Sequence, residues 1–250
     1  MVIKDMTGCP SDPDSLIEET DWASLQHACG PADDTPSALT DLLNGPPDAQ
    51  ARAAKHLDHV VHHQNSLYTA TAPAALYVAA ILTDSPTDIA VPYGREGRRC
   101  RLRQALLDWL GSVADEVGKE AETTLVRLGF PPEGDPAFVQ VRAIRPALFQ
   151  GVSSLLHSPD PVIREAALAA AVRLLDAPEL THHRAVLIPM VRTFLATSSN
   201  RIYRAIAIDG LDAWGEETTS LVRQEEEPAH NQGEWGRDPW SADDFSGTAF

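Results

Sequence analysis

Asp160-Pro161-Val162-Ile163-Arg164-Glu165-Ala166-Ala167 decides the fold. An aspartate followed by proline starts a helix. The carboxylate accepts orphan backbone N–H groups, and proline sits where its missing N–H costs nothing. Behind this start, Ala166, Ala167, Ala169, Ala170 and Ala171 let a neighbouring helix come close, while Val172, Leu174 and Leu175 fill the seam. Two other stretches share the layout, Asp48-Ala-Gln-Ala-Arg52-Ala-Ala and Asn200-Arg-Ile-Tyr-Arg204-Ala-Ile-Ala. Each places Asp or Asn at a capping position, Arg four residues on, and small residues after it. Residues 97–117 take the corresponding place in a middle unit, without a clear cap.

A second pattern interleaves with the first. Segments 36–43, 73–82, 146–156 and 189–195 each begin at a proline and end on apolar residues. Their prolines lie 37, 73 and 43 residues apart, so the middle interval holds an extra unit or an insertion. Proline suits the first turn of a helix; Pro146 can instead lie further inside and kink it. The spacing thus predicts a capping helix over 14–28 and two alternating helix types. One type covers 47–63, 97–117, 160–176 and 200–214; the other covers 35–44, 71–84, 137–157 and 182–198. Two-helix periods of about 35–45 residues mean stacked hairpins, because one hairpin cannot bury its apolar face alone. The expected fold is all-α, a right-handed superhelical solenoid of HEAT-like helical hairpins. It has about four hairpins behind the capping helix over 14–215.

The remaining segments are punctuation. Residues 1–13 read as a flexible leader and 85–96 as a loop. Residues 118–136 form an insertion, with a short helix over 120–128. Insertions of this kind emerge on one face of a solenoid, often the binding face. From 216 to 250 the chain is acidic, with Trp235, Trp240 and Phe245 at five-residue spacing. Such a tail either lies solvated on the last hairpin or docks on a groove.

Charge narrows the partners. Acidic residues outnumber basic ones 36 to 20, for a formal net charge of −16. That surface repels phosphate backbones and anionic lipids, and speeds the encounter with a basic partner. Cys9, Cys29 and Cys100 are odd in number and widely spaced, so reduced thiols in a cytoplasmic protein are expected. Cys29 and Cys100 read as small core hydrophobes. No run of about 18 apolar residues occurs, and the opening residues lack the apolar stretch of a secretion signal. Neither membrane nor nucleic-acid partners are expected.

Asp21-Trp22-x-x-Leu25-x-His27-Ala28-x-Gly30-Pro31-Ala32-x-Asp34-Thr35-Pro36, followed by His63-Gln64-x-Ser66-x-Tyr68-x-Ala70-x-Ala72, resembles the opening of bacterial, mainly actinomycete, HEAT-repeat proteins. That class takes in the PBS-lyase HEAT-like repeats and other armadillo-type folds. The resemblance covers residues 21–84 and extends more loosely to about 215. It implies an adaptor or an immunity protein that neutralises a toxin, and it carries no catalytic residues and no cofactor.

Candidate chemistry is sparse. His56, His59, His62 and His63 share one predicted helix, with 59 and 63 on one face. No third ligand accompanies them, so carbonyl capping or solvent contact is expected and no metal. His182-His183 likewise has no partner at metal spacing. No G-x-S-x-G, Walker loop, G-x-G-x-x-G or H-E-x-x-H motif is present, so no enzyme is expected. The strongest enzyme alternative is a HEAT-like DNA glycosylase. Its basic channel would have to come from Arg95, Arg98, Arg99, Arg101 and Arg103. The expected function is non-catalytic sequestration of a basic protein partner, for instance a toxin domain. A structural adaptor is the other binding reading. The aromatic anchors for either are Tyr68, Tyr77, Tyr93, Trp109, Tyr203, Trp214, Trp235 and Trp240, since large aromatics dominate interface energetics.

Overall fold

The computed structural model describes residues 12–92, 99–219 and 221. The leader over 1–11, Tyr93, the arginines at 95 and 98, and the tail from 222 onward lie outside the described residues. The described chain is mostly helical. Its helices are α1 (Pro13–Glu19), α2 (Thr35–Asn44), α3 (Pro47–His56), α4 (Thr71–Ile81), α5 (Leu102–Asp115), α6 (Lys119–Arg127), α7 (Pro136–Ser153), α8 (Pro161–Leu174), α9 (Arg184–Thr197) and α10 (Arg201–Ala213).

Capping residues set several starts. Asp160 accepts the Val162 N–H at 2.9 Å and opens α8, with Pro161 behind it. Asn200 accepts the Tyr203 N–H at 3.2 Å and opens α10. Asp135 accepts the Ala137 N–H at 2.9 Å and opens α7. Asp48 departs from this pattern. Pro46 is the residue before α3, and Asp48 lies in the first turn, where its charge meets the positive end of the helix dipole without capping it. Pro36 and Pro73 do fall in first turns, whereas Pro146 and Pro189 lie inside α7 and α9. The proline that starts α7 is Pro136.

Two expected helices are shorter than their segments. Only Pro13–Glu19 of the capping segment is α-helical. Beyond it come a 3-10 turn at Trp22–Ser24 and a small hairpin, β1 (Gln26–His27) against β2 (Gly30–Pro31). Gly30, at φ +124°, closes this hairpin in a conformation that L side chains rarely adopt. The second shortening precedes α5. Arg99–Arg101 is a strand (β4) paired antiparallel with Ala90–Pro92 (β3), so α5 begins at Leu102 rather than 97. The pairing sets half-buried Cys100 opposite buried Val91 and leaves Arg99 and Arg101 exposed, the alternation of a strand.

Helices of like type pack on one another. α3 packs on α5, α5 on α8 and α8 on α10; beside them α2 packs on α4 and α4 on α7. α8 is held by α5, α7 and α10, and nine of its residues are buried, which explains why a small-residue helix was needed here. Glycines sit at the tightest crossings. A Cβ on Gly151 of α7 would stand 2.5 Å from the Ala79 carbonyl oxygen of α4, and one on Gly210 of α10 would overlap Val172 of α8. One continuous apolar core runs from Trp22 to Leu211.

The recurrent arginines close the hairpins. Arg164 Nη1 donates to Ser158 O at 2.7 Å, and Arg204 Nη1 to Ser198 O at 3.3 Å. Arg103 Nη2 donates to Asp84 O at 3.0 Å. In each case the guanidinium satisfies a carbonyl of the turn leading into its helix. Arg164 and Arg204 thus make the same bond from corresponding places in their segments, whereas Arg52 of the Asp48 segment is exposed.

Candidate functional site

The candidate anchors separate by burial. Tyr77, Trp109 and Tyr203 are 2%, 3% and 6% exposed, which removes them from any surface contact. The reason is energetic: each aromatic removes 150–250 Å² from water, and the seams between stacked helices are where that area can be covered. The polar atoms of Trp109 and Tyr203 are provided for. Trp109 Nε1 donates to Leu57 O at 3.1 Å. Burial pushes the Tyr77 hydroxyl up to about 12. Tyr68 and Trp214 remain half-buried, and the Arg184 guanidinium lies over the Trp214 ring, 5.6 Å from its centroid. Tyr93, Trp235 and Trp240 lie outside the described residues.

Tyr203 belongs to a small polar network inside the stack. Its hydroxyl donates to Asp108 Oδ1 at 2.7 Å and accepts from Gln104 Nε2 at 3.1 Å. Burial pushes the Asp108 carboxyl up to about 6, against the pull of the Tyr203 hydrogen bond and of Arg173, and with a further push from Asp58.

Of the arginine run required for a nucleic-acid channel, the described members Arg99, Arg101 and Arg103 are engaged within the chain. Arg99 donates to Ala90 O. Arg101 pairs with Asp88 at 3.1 Å and Asp160 at 3.3 Å. Arg103 Nε donates to Thr87 Oγ1 at 3.0 Å. These forks already face carbonyls and carboxylates, which competes with any phosphate. Among the described residues, exposed apolar side chains occur on α9 and α10, at Val186 and Ile202, and cluster in sequence on the insertion. Val126, Leu128 and Phe130 are 59%, 62% and 66% exposed. A groove of about 610 Å³ also lies between α8 and α9, lined by Leu156, Leu168, Met190 and Phe194, with Arg164 and Glu165 beside them.

The histidine-rich segment does not form one helix face. After His56 the helix widens into a single π-turn over Leu57–Val61, and Gln64 and Asn65 follow with φ of 49° and 58°. His59 is exposed, while His62 turns inward. His62 lies edge-on to Trp109 with ring centroids 6.5 Å apart, its Nε2 has no hydrogen-bond partner, and burial pushes it down to about 4. His182 and His183 stack on each other at 3.9 Å, and His183 on Phe149 at 4.5 Å, so they pack rather than converge on a point.

His56 takes a different set of neighbours. Its Nε2 lies 3.0 Å from Thr35 Oγ1 and 3.9 Å from Asp34 Oδ1. His27 Nε2 lies 2.8 Å from the same Asp34 oxygen, and the Cys29 N–H donates to His27 Nδ1 at 3.1 Å. Burial, and then the nearby His27, push the His56 imidazole down, against the pull of Asp34. Its sequence spacing hid this cluster: β1, the residue before α2, and the end of α3 meet only through the hairpin. Cys29 is exposed and Cys100 half-buried, so neither is a core hydrophobe. Burial and Asp108 push the Cys100 thiol up, the direction that disfavours the thiolate.

Among the described residues no helix is long and apolar enough to cross a membrane. No protein-family model, curated protein or solved structure matches this chain.

Proposed function

We propose that this chain is a non-catalytic, protein-binding stack of HEAT-like helical hairpins. In this reading it is a right-handed superhelical solenoid that sequesters a basic protein partner, as an immunity protein does a toxin domain. The observation that supports it most is the succession of like helices, α3 on α5 on α8 on α10 beside α2 on α4 on α7. A stack in which each unit touches its neighbours exposes one long face, the surface that repeat proteins use to hold partners. The net charge of −16 favours a basic occupant through fast, salt-sensitive capture. The half-buried Tyr68 and Trp214 and the groove between α8 and α9 offer contacts to it. The test is a pull-down with the full chain from the source cells, at low and high salt, with mass spectrometry of what is held. A stoichiometric basic protein released by salt is expected. Capture of nothing stoichiometric, or of an acidic partner that salt does not release, refutes the reading.

A second reading, an adaptor within a larger complex, draws support from Val126, Leu128 and Phe130. Exposed apolar side chains at every second position of an insertion mark a contact of a kind different from the acidic surface. Serine at all three positions would remove one component of an assembly and leave capture of the basic partner intact.

A further inference from the structure

We propose that His27, Asp34 and His56 form a binding site for a late first-row transition metal ion, with Zn²⁺ as the representative, that clasps the β1–β2 hairpin to the ends of α2 and α3. The donor atoms are His27 Nε2, Asp34 Oδ1 and His56 Nε2, all within 4.8 Å of one another. Two sides of their triangle are 2.8 and 3.9 Å. With the third no longer than 4.8 Å, a point equidistant from all three lies about 2.0–2.4 Å from each, against zinc bonds of about 2.0–2.2 Å to nitrogen and carboxylate oxygen. Two imidazoles and one carboxylate suit zinc and its neighbours, and are too nitrogen-rich for calcium or magnesium.

The three arms are held independently of any ion. The hairpin carrying His27 is tied to the segment after α3: Ala28 N–H donates to Val60 O at 3.0 Å, Ala70 N–H to Gln26 O at 3.1 Å, and Gln26 N–H to Thr69 Oγ1 at 2.8 Å. His56 sits at the last turn of α3, where the π-turn begins. Thr35 Oγ1 stands beside His56 Nε2 at 3.0 Å. The His27 side chain is 3% exposed and that of Asp34 is 63% exposed, so an ion enters on the Asp34 side. Three protein ligands leave a position for water.

Ion binding requires one proton to move. Because Nδ1 of His27 accepts the Cys29 N–H, the neutral ring carries its proton on Nε2 and donates it to Asp34. A metal on Nε2 displaces that proton and leaves the ring with Nδ1–H, which then faces the Cys29 N–H. Ala28 and Cys29 are the two central residues of the hairpin turn between β1 and β2. A flip of the peptide joining them interconverts turn types without moving the strands, at the cost of a positive φ at Cys29. It brings the Ala28 carbonyl to Nδ1–H, the hydrogen bond that orients a metal-bound imidazole.

The test uses the full chain, stripped with chelator and titrated with Zn²⁺ by calorimetry. Long-range ¹⁵N–¹H NMR of the imidazoles is recorded before and after. His27 is left intact because its buried ring supports the fold. Asp34→Asn and His56→Gln remove ligands at less buried positions, and His59→Gln with His63→Gln controls for adventitious histidine binding. One Zn²⁺ per chain is expected, weakened at least about 10-fold by each ligand variant and unchanged by the control. His27 is expected to switch from Nε2–H to Nδ1–H. The proposal is overturned by affinity weaker than about 100 µM, by loss of binding in the control rather than in the ligand variants, or by zinc binding that leaves the His27 tautomer unchanged.

Discussion

The Tyr203 hydroxyl donates a 2.7 Å hydrogen bond to Asp108 Oδ1, joining α10 to α5 across 95 residues of chain. The bond is made from two helices that both pack on α8. It places a carboxyl group in a largely buried seam, and this has a cost that can be measured.

Asp108→Asn is expected to stabilise the protein at pH 7.5. The folded carboxyl titrates at about 6, above its ordinary 3.8. Its contribution is therefore fully present below 3.8 and is lost as pH rises through 6. Ionised Asp108 then costs on the order of 2–3 kcal/mol, while asparagine keeps the acceptor for Tyr203. Urea unfolding should show the gain at pH 7.5 and lose most of it by pH 4.5. A gain that is the same at both pH values would mean packing, not charge, is responsible.

His62 works in the opposite direction. Its folded value of about 4 lies below 6.5. Its contribution is present above 6.5 and is lost as pH falls through 4. Between these values the unfolded state holds the extra proton, so His62 makes stability rise with pH, where Asp108 makes it fall. Stability measured from pH 4.5 to 6 should therefore slope more steeply upward in Asp108→Asn than in the wild type. In His62→Leu it should slope less steeply. Each change is bounded by about 1.4 kcal/mol per pH unit. Identical slopes in all three proteins would refute both assignments.

Gly151→Ala should lower stability by roughly 2–4 kcal/mol, because the new Cβ meets a backbone oxygen of α4 that cannot move alone. Gly134→Ala is the matched control. Nothing lies within 4 Å of a Cβ there, and a change within about 0.5 kcal/mol is expected. Equal effects in thermal unfolding would show that the α4–α7 crossing is looser than its geometry.

Arg145 is 2% exposed; its Nε has no partner, and its Nη1 reaches Val117 O only at 3.4 Å. Burial is the main cause that pulls its guanidinium below the usual range. A buried donor without a partner costs roughly 1–3 kcal/mol, a cost that an apolar side chain of similar length does not carry. Arg145→Met should therefore unfold at or above the wild-type denaturant midpoint. A loss beyond about 2 kcal/mol would show that the charge itself is needed.

Helix identity was legible in the sequence because it rests on local chemistry. Asp160-Pro161, Asn200 and the alanine run of α8 act within a few residues of one another, and they announce their helices directly. The short helix of the insertion was legible for the same reason: residues 120–128 alternate polar and apolar at helical spacing. The replacement of a helix start by β4 was not. Arg99-Cys100-Arg101 becomes a strand only because Val91, nine residues back, is there to pair with Cys100.

The sequence by itself determined that this chain is helical and acidic, because capping, propensity and charge are additive along a chain. Only the tertiary structure decided which side of each helix faces a neighbour. That choice put Tyr77, Trp109 and Tyr203 inside, since covering an aromatic ring requires partners from other hairpins. It also brought His27, Asp34 and His56 to one point, and parted His59 from His63 through a π-turn and the non-helical His62 that follows it. Such meetings depend on distance in space, which residue spacing within one helix does not encode.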